Sequence, residues 1–298
     1  MQPGAEPLPS RGADMKKTPA TLLSQMKKEG LAPRKGLGQH FLTDPNILAD
    51  IVAAADLPEQ AVVIEIGPGP GTLTAALAPV AGRLIAIELD AQLAAMLAEL
   101  YADWPNVHIL PGDALQMEPK DVLEQTGGVA PYFVLGNIPY YITSPLLRHF
   151  LEAEPRPQRM VFTLQLEVAR RICARPPHMS VLAIAVQTYA QATIVRKLPP
   201  GAFTPPPKVH SAVLRLDVLP QPLVPADVRD KFFRVVKAGF GQKRKTLRNS
   251  LSAGLGLSPD TIVDALRSVG IDPKQRAQEL DIPQWLALTR ALFVKSDA

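Results

Sequence analysis

A series of short apolar runs, each ending at a glycine or a polar residue, constrains the fold of this chain most strongly. The first run, residues 61–66, is typical of a strand buried in a parallel sheet. It ends in the glycine-rich turn 67–71, and the pattern after that turn predicts a helix over residues 72–78. Further strands are predicted over residues 83–87, 107–110, 133–135 and 159–164, with helices over 91–101 and 145–151. This alternation predicts an α/β fold with a doubly wound, Rossmann-like parallel sheet.

The segments on either side of this pattern are less regular. Residues 1–33 are rich in Pro, Gly, Lys and Ala without a stable period, so we predict a flexible basic tail. Residues 45–55 are predicted to form a helix with Asp44 as its N-cap. Beyond the last strand of the alternating pattern, the sequence predicts a helix over 166–174, a mixed apolar stretch over 180–195 and a strand over 209–217.

A proline-rich segment, residues 219–225, is typical of a linker. The sequence beyond it predicts four short helices, residues 226–240, 243–253, 258–269 and 283–295. This last region has too little β pattern to extend the sheet. We therefore expect three parts: a flexible tail (1–33), an α/β domain (34–218) and a small C-terminal helical domain (219–298).

The composition favours a globular protein and excludes several classes. Apolar residues make up 47% of the 298 residues, which is ample for a buried core. No run approaches the roughly 18 apolar residues of a membrane span, and there is no apolar stretch of signal-peptide type. The single cysteine, Cys173, excludes an internal disulfide, and the five histidines show no metal-ligand spacing. We expect a cytoplasmic protein without a metal or a membrane contact, and a monomer.

The charge is distributed unevenly along the chain. Residues 1–35 carry seven basic against three acidic residues, a balance of +4. Residues 36–217 carry twelve against seventeen, a balance of −5, and residues 218–298 carry thirteen against eight, a balance of +5. An acidic body between two basic segments suits a polyanionic partner. Charge alone is equally consistent with ordinary solvated surfaces.

Three successive strand ends carry groups that suit a nucleoside cofactor. Gly67 follows the first strand, where glycine lets the backbone turn tightly and approach a ligand. Glu88 ends the next strand, 21 residues after Gly67, where a carboxylate reaches ribose hydroxyls. Asp113 ends the third strand and is placed to accept a hydrogen bond from an adenine amino group. NAD and S-adenosylmethionine share these features, so these residues alone leave the cofactor open.

The fourth strand end distinguishes the two cofactors. Residues 137–140 have the sequence Asn-Ile-Pro-Tyr. The side-chain oxygen of Asn137 can accept a hydrogen bond from an exocyclic amino group, and Pro139 stiffens the turn. Tyr140 offers a flat face on which a flipped-out base can stack. This set has no use in hydride transfer but suits methyl transfer to an amino nitrogen, which makes Asn137 and Tyr140 the candidate catalytic residues.

With these motifs the chain resembles the ribosomal RNA adenine N6,N6-dimethyltransferases, the family of the bacterial kasugamycin-sensitivity enzyme. Five blocks in family order carry the resemblance: residues 38–42 (GQHFL), 65–71 (EIGPGPG), 137–142 (NIPYYI), 203–211 (FTPPPKVHS) and 240–247 (FGQKRKTL). The resemblance spans about residues 34–295. It implies a class I methyltransferase sheet, S-adenosylmethionine as the methyl donor and small-subunit ribosomal RNA in a pre-small ribosomal subunit as the partner. We therefore expect residues 34–218 to be the S-adenosylmethionine-dependent methyltransferase domain and the helical domain 219–298 to bind RNA.

The resemblance also implies a set of cofactor-binding residues, namely His40, Leu42, Gly67, Glu88, Asp113 and Asn137. Family members more often have Asn at the position of His40. On the substrate side, Tyr140 is expected to stack on the base, and Phe203 to close its other face or merely to pack within a rigid loop. The basic residues Lys243, Arg244 and Lys245 are candidates for phosphate contacts, or else they form a solvated surface.

The leading hypothesis is an enzyme that dimethylates two adjacent adenines in a hairpin near the 3′ end of small-subunit (16S) ribosomal RNA, with a role in small-subunit biogenesis. The target comes from the resemblance. A resistance-type methyltransferase for large-subunit RNA and a DNA adenine methyltransferase are further enzyme hypotheses. A non-catalytic assembly or transcription factor on the same fold is the alternative from another class. The intact residues Gly67, Glu88, Asp113 and Asn137 favour an enzyme.

Overall fold

The computed structural model describes residues 40–293 and Ser24. Its strands are β1 (Phe41–Leu42), β2 (Val62–Ile66), β3 (Arg83–Glu88), β4 (Val107–Pro111), β5 (Tyr132–Asn137), β6 (Arg159–Gln165), β7 (Ala190–Leu198), β8 (Phe203–Thr204) and β9 (Ser211–Val218). Seven of them form one sheet in the order β4, β3, β2, β5, β6, β9, β7. The first five of these run parallel, whereas β9 is antiparallel to both β6 and β7. This arrangement confirms the predicted α/β class.

The helices cover both faces of the sheet and form the C-terminal region. They are α1 (Pro45–Ala55), α2 (Thr72–Leu77), α3 (Ala91–Leu100), α4 (Pro119–Gln125), α5 (Thr143–Glu152), α6 (Leu166–Ile172), α7 (Val181–Gln187), α8 (Ala226–Phe240), α9 (Leu247–Leu255), α10 (Pro259–Ser268) and α11 (Ile282–Phe293). Short 3-10 turns cover Tyr140–Ile142, Pro200–Ala202 and Ala277–Glu279. The predicted N-cap of α1 is confirmed, since Asp44 Oδ1 accepts from the amide of Asn46 at 2.9 Å.

The apolar run of β2 is buried because the sheet is covered on both sides. Successive side chains of a strand point to opposite faces. Ile64 therefore packs in the core layer that holds α4, α5 and α6, and Val63 packs in the layer that holds α1, α2 and α3. Both side chains are fully buried. A continuous apolar run, and not an alternating one, follows from this double burial.

The sheet has a topological switch point between β2 and β5. The chain runs from β2 outward through β3 and β4, and then returns to place β5 against the other side of β2. The carboxyl ends of β2, β3, β4 and β5 thus lie along one edge. In open α/β sheets a crevice forms outside the carboxyl ends at such a point, and ligands bind there.

Two features of the structure lie in the mixed apolar stretch 180–195 and in residues 203–211, which we call the proline loop. The stretch contains helix α7 and most of the edge strand β7, whose burial alternates because one of its faces meets solvent. The proline loop contains β8, which pairs antiparallel with β1 and so joins residues that lie about 160 positions apart. We call the β1–β8 pair the ribbon. Neither β7 nor the ribbon is predicted from the sequence.

The C-terminal helices α8 to α11 share a core that also reaches into the sheet domain. Trp285 is fully buried at its centre. Met179, Ala183 and Ile184, from α7 and the residue before its N-cap, contribute to the same core. The helical region is therefore packed against the sheet domain and not merely tethered to it. The predicted tail, residues 1–33, lies outside the described residues apart from Ser24. Across residues 40–293, no helix is long and apolar enough to cross a membrane.

The packing around Trp285 gives a test of this helical core. A Cβ atom added at Gly239 would lie 2.4 Å from the ring of Trp285, whereas one added at Gly201 would meet nothing within 4 Å. We expect Gly239→Ala to lower the free energy of unfolding by about 1–3 kcal/mol, because a fully buried ring must move. The matched change Gly201→Ala should shift it by less than about 0.5 kcal/mol. Urea denaturation measures both, and equal effects would contradict the packing described.

Candidate active site

A crevice lies at the carboxyl edge of the sheet, at the switch point between β2 and β5. Its walls come from the carboxyl ends of β2, β3, β4 and β5, from the ribbon and from the 3-10 turn after β5. The structure brings all six predicted cofactor-site residues to this one crevice: His40, Leu42, Gly67, Glu88, Asp113 and Asn137. The other predicted residue that lines the crevice is Tyr140.

The glycine-rich turn after β2 forms the floor of the crevice. Gly67 and Gly69 have φ values of +64° and +56°, in the left-handed region that side chains rarely adopt. A Cβ atom at Gly69 would lie 3.0 Å from the ring of Phe41 in the ribbon. A Cβ atom at Gly67 would meet no protein atom within 4 Å, so its backbone is open to the crevice. The turn thus lets a ligand approach the main chain closely.

Two carboxylates stand on the neighbouring strand ends. Glu88 is 3% exposed, and its Oε2 and Oε1 accept hydrogen bonds from the amides of Gly69 (3.1 Å) and Asp90 (3.0 Å). Burial raises the pKa of Glu88, while these two backbone hydrogen bonds act in the opposite direction. Asp113 is half-buried, and its Oδ1 accepts from the amide of Leu115 at 2.9 Å. The two acids are therefore held by backbone amides in fixed positions on the crevice wall.

The side chain of Asn137 is oriented by the ribbon. Its Nδ2 donates a hydrogen bond of 2.6 Å to the carbonyl of His40. A carbonyl can only accept, so this contact fixes which end of the amide faces it. The Oδ1 atom is left as an acceptor, and no group among residues 40–293 donates to it. Asn137 lines the crevice, so this acceptor is available to a ligand there.

Tyr140 is held on both of its sides. Its hydroxyl forms a hydrogen bond of 2.7 Å with Oγ of Ser211, at the start of β9. Its ring lies 6.0 Å from the ring of His40, with 27° between their planes. Burial raises the pKa of the Tyr140 hydroxyl, which keeps it neutral at physiological pH. The ring is thus a fixed aromatic wall beside Asn137.

The ring of His40 ties the ribbon to the proline loop. Its Nδ1 lies 2.7 Å from the carbonyl of Pro205, and because that oxygen only accepts, Nδ1 carries the proton. The hydroxyl of Thr72 donates to the carbonyl of Leu42 at 2.8 Å and so attaches the ribbon to α2. The backbone of the ribbon, and not only its side chains, therefore builds the crevice.

The remaining predicted substrate residues lie elsewhere. Phe203 is 3% exposed and packs among apolar side chains of the α1–α3 core layer, and it does not line the crevice. The structure thus shows the packed ring of the alternative, and a contact of Phe203 with the base stays a prediction. Lys243, Arg244 and Lys245 are exposed in the turn between α8 and α9, outside the crevice. Their role in RNA binding stays a prediction.

Glu65 lines the crevice, although it was predicted only as part of the motif 65–71 and not as a site residue. It is 1% exposed and has no hydrogen-bond partner for Oε2 among the described residues. Burial, with a smaller contribution from the nearby carboxylate of Glu88, raises the pKa of Glu65 to about 8. The sequence signal that could have identified Glu65 is an acidic residue within an otherwise apolar strand, because burial of a carboxyl group is costly. No cluster of three metal-ligating side chains occurs within residues 40–293.

Comparison with known proteins identifies the family. The model of the family described as ribosomal RNA adenine dimethylase matches residues 30–293. The chain belongs to this family. As a ribosomal RNA adenine dimethylase it is an enzyme that uses S-adenosylmethionine as its methyl donor and ribosomal RNA as its substrate. The expected family, reaction and cofactor are thus confirmed.

The relatives of this dimethylase match it over almost its whole length. Ribosomal RNA small subunit methyltransferase A of Dehalococcoides mccartyi strain CBDB1 is 44% identical over 90% of this chain and 92% of its own length. The protein of the same name from Moorella thermoacetica is 41% identical over 92% and 98%. A dimethyladenosine transferase structure from Plasmodium falciparum has a TM-score of 0.70 at 26% identity, covering 84% and 96%. The 23S rRNA methyltransferase ErmE has a TM-score of 0.68 at 29% identity, covering 85% and 99%.

The raised pKa of Glu65 predicts a pH dependence of stability in this dimethylase. Between about pH 5 and pH 8 the folded chain keeps a proton that Glu65 of the unfolded chain has released, so rising pH favours unfolding. We expect the wild type to lose stability relative to Glu65→Gln across this range. Urea denaturation at several pH values measures the difference. If it stayed constant, Glu65 would be ionising at its ordinary pKa.

Proposed function

We propose that this dimethylase transfers methyl groups from S-adenosylmethionine to N6 of two adjacent adenines in a hairpin near the 3′ end of small-subunit ribosomal RNA. The product is a pair of N6,N6-dimethyladenosines. Support comes from the relatives named small subunit methyltransferase A, at 41–44% identity over nine-tenths of the chain. We further propose that it acts in the cytoplasm as a monomer, without a metal, on a pre-small ribosomal subunit during its biogenesis.

The groups on the crevice wall fit the cofactor. S-adenosylmethionine, when bound, supplies a sulfonium-activated methyl group. We assign the carboxylate of Glu88 to its ribose hydroxyls and that of Asp113 to its adenine amino group, because both acids are held in place by backbone amides. The open backbone at Gly67 admits the ligand to the turn, and His40, Leu42 and Asn137 complete the lining.

The observation that carries the proposed reaction is the orientation of Asn137. The lone pair of an adenine amino group is delocalised into the ring, which makes the nitrogen a poor nucleophile. Asn137 Oδ1 and the backbone carbonyl of Ile138 can accept the two amino hydrogens and draw the nitrogen toward tetrahedral geometry. Alignment of the nitrogen with the methyl group then provides most of the rate enhancement. No general base is required, because the proton can leave after the transfer.

Tyr140 is the proposed stacking partner of the target base. A base must leave its helix before an enzyme can reach its amino group, and an aromatic ring compensates for the lost stacking. The hydrogen bond to Ser211 and the contact with His40 hold the Tyr140 ring beside Asn137. The base therefore meets a platform that is already ordered before it arrives.

The large-subunit alternative remains the main competitor. The solved structure of the 23S rRNA methyltransferase ErmE is similar in fold but only 29% identical, whereas the small-subunit relatives reach 44%. The decisive experiment incubates the protein with radiolabelled S-adenosylmethionine and with each ribosomal subunit lacking the modification. Primer extension then maps the labelled nucleotides. Label on two adjacent adenines of the small subunit supports the proposal, and label on the large subunit contradicts it.

A change at Asn137 tests the catalytic assignment. We expect Asn137→Ala to lower the rate of methyl transfer by at least about 100-fold, because the amino nitrogen loses a fixed acceptor at the reacting position. The dissociation constant of S-adenosylmethionine, measured by calorimetry, should change far less. A variant that kept near-normal turnover would refute the role given to Asn137, and a variant that lost only cofactor affinity would reassign it.

The exposed basic turn of residues 243–245 gives the test of RNA binding. Replacement of all three by glutamate should reduce the slope of log affinity against log salt by about 2, since each phosphate contact contributes ~0.7–0.9. Lys120→Glu is the control, because Lys120 is an exposed cation that pairs with Glu124 on α4. Filter binding to unmodified small subunits at several salt concentrations measures the slopes. An unchanged slope in the triple variant would exclude the turn from the RNA contact.

A further inference from the structure

Tyr141 is an exposed aromatic residue at the mouth of the crevice. Its side chain is 59% exposed, although the residue lines the crevice wall. No group within residues 40–293 forms a hydrogen bond with its hydroxyl. The preceding residue, Tyr140, is by contrast half-buried and bonded to Ser211. The two neighbouring tyrosines are thus in different environments, and the proposed reaction uses only one of them.

The backbone explains why the two rings diverge. Tyr140–Ile142 form a 3-10 turn, in which successive side chains are separated by about 120° around the axis. When Tyr140 points inward to Ser211, Tyr141 must therefore point away from it, toward the rim of the crevice. The turn is held by hydrogen bonds from the amide of Ile142 to the carbonyl of Pro139 (3.2 Å) and from the hydroxyl of Thr143 to the carbonyl of Tyr140 (3.0 Å).

Helix α5 begins at Thr143, immediately after this turn. The backbone that carries the Tyr141 ring is therefore fixed at both ends, by the strand before it and by the helix after it. An aromatic side chain on a fixed backbone loses little conformational freedom when a partner covers it, and its flat face remains open to solvent. These are the properties of a stacking surface for a single-stranded base.

A loop joined to the crevice wall carries an exposed positive charge. The loop of residues 205–210 is anchored at one end by the contact of Pro205 with His40 and at the other by Ser211, which bonds Tyr140. Lys208 on this loop is exposed and forms no ion pair within the described residues. An exposed cation on a loop attached to His40 and Tyr140, together with the open ring of Tyr141, suits a strand of bases with a phosphate backbone.

We propose that Tyr141 binds the nucleotide that flanks the target adenine, by stacking on its base. The inference rests on the proposed function, in which the target has an adjacent adenine. When the target base leaves the helix to lie on Tyr140, its neighbour loses a stacking partner on the face it turned toward the target. The ring of Tyr141, one residue along the same turn, replaces that partner.

The test uses small subunits reconstituted from ribosomal RNA that is joined from two pieces. The piece that carries the target has either the natural adenosine or an abasic residue at the flanking position, so that methylation is followed at the remaining adenine. Wild type, Tyr141→Phe and Tyr141→Ala are compared for the KM of the subunit and for kcat. Cofactor affinity and melting temperature of each variant serve as controls for folding.

We expect Tyr141→Ala to raise the KM for the natural subunit about tenfold, in the range found for loss of one stacked base, with unchanged cofactor affinity. Tyr141→Phe should behave as wild type, because the ring and not the hydroxyl stacks. On the abasic subunit the wild type and Tyr141→Ala should become equal, since no flanking base is left to stack.

Two results would overturn the proposal. One is a Tyr141→Ala variant that matches wild type on the natural subunit. The other is a variant that loses the same factor on both subunits, since its ring would then contact the target base or the cofactor. Wild-type protein that methylates neither subunit preparation would refute the proposed function itself, and this inference with it.

Discussion

The hydrogen bond from Asn137 Nδ2 to the carbonyl of His40 is the contact on which the rest of the site depends. It joins the end of β5 to a ribbon of two short strands that is far away in the sequence. Through it, the ribbon sets the direction of the amide that is proposed to hold the reacting nitrogen. The ring of the same histidine contacts Tyr140 and Pro205, so a single residue connects the amide, the aromatic wall and the proline loop.

The parallel sheet supplies the other half of the site by bringing its strand ends together. Glu65 and Glu88 sit on adjacent strands and are both nearly inaccessible to water. Burial of two carboxyl groups so close together disfavours ionisation of at least one of them. Glu88 is compensated by two backbone amides, whereas Glu65 carries most of the unfavourable desolvation. Two buried carboxyl groups at an energetic cost are typical of a functional site, where polar groups serve binding and not stability.

Much of the architecture could be predicted from the sequence because parallel strands buried on both faces leave continuous apolar runs. The strand-end groups Glu88, Asp113 and Asn137 followed from the same logic, since carboxyl ends share one edge. The ribbon could not be predicted, because a two-residue strand has no period and its pairing depends on tertiary contacts. Edge strand β7 was missed because its alternating burial blurs the apolar signal. The position of Phe203 was undecidable, since an aromatic ring packs in a core or stacks on a ligand with equal chemical ease.

The C-terminal helices share their core with Met179, Ala183 and Ile184, which belong to the part of the chain that builds the sheet. This shared packing resists movement of the helical region relative to the sheet domain, because any displacement would open cavities at the junction. The span from the basic turn to the crevice is consequently set by packing. If that turn binds the phosphate backbone as proposed, the distance between the bound phosphates and the crevice is fixed. That distance then selects which nucleotide of the strand reaches the methyl donor.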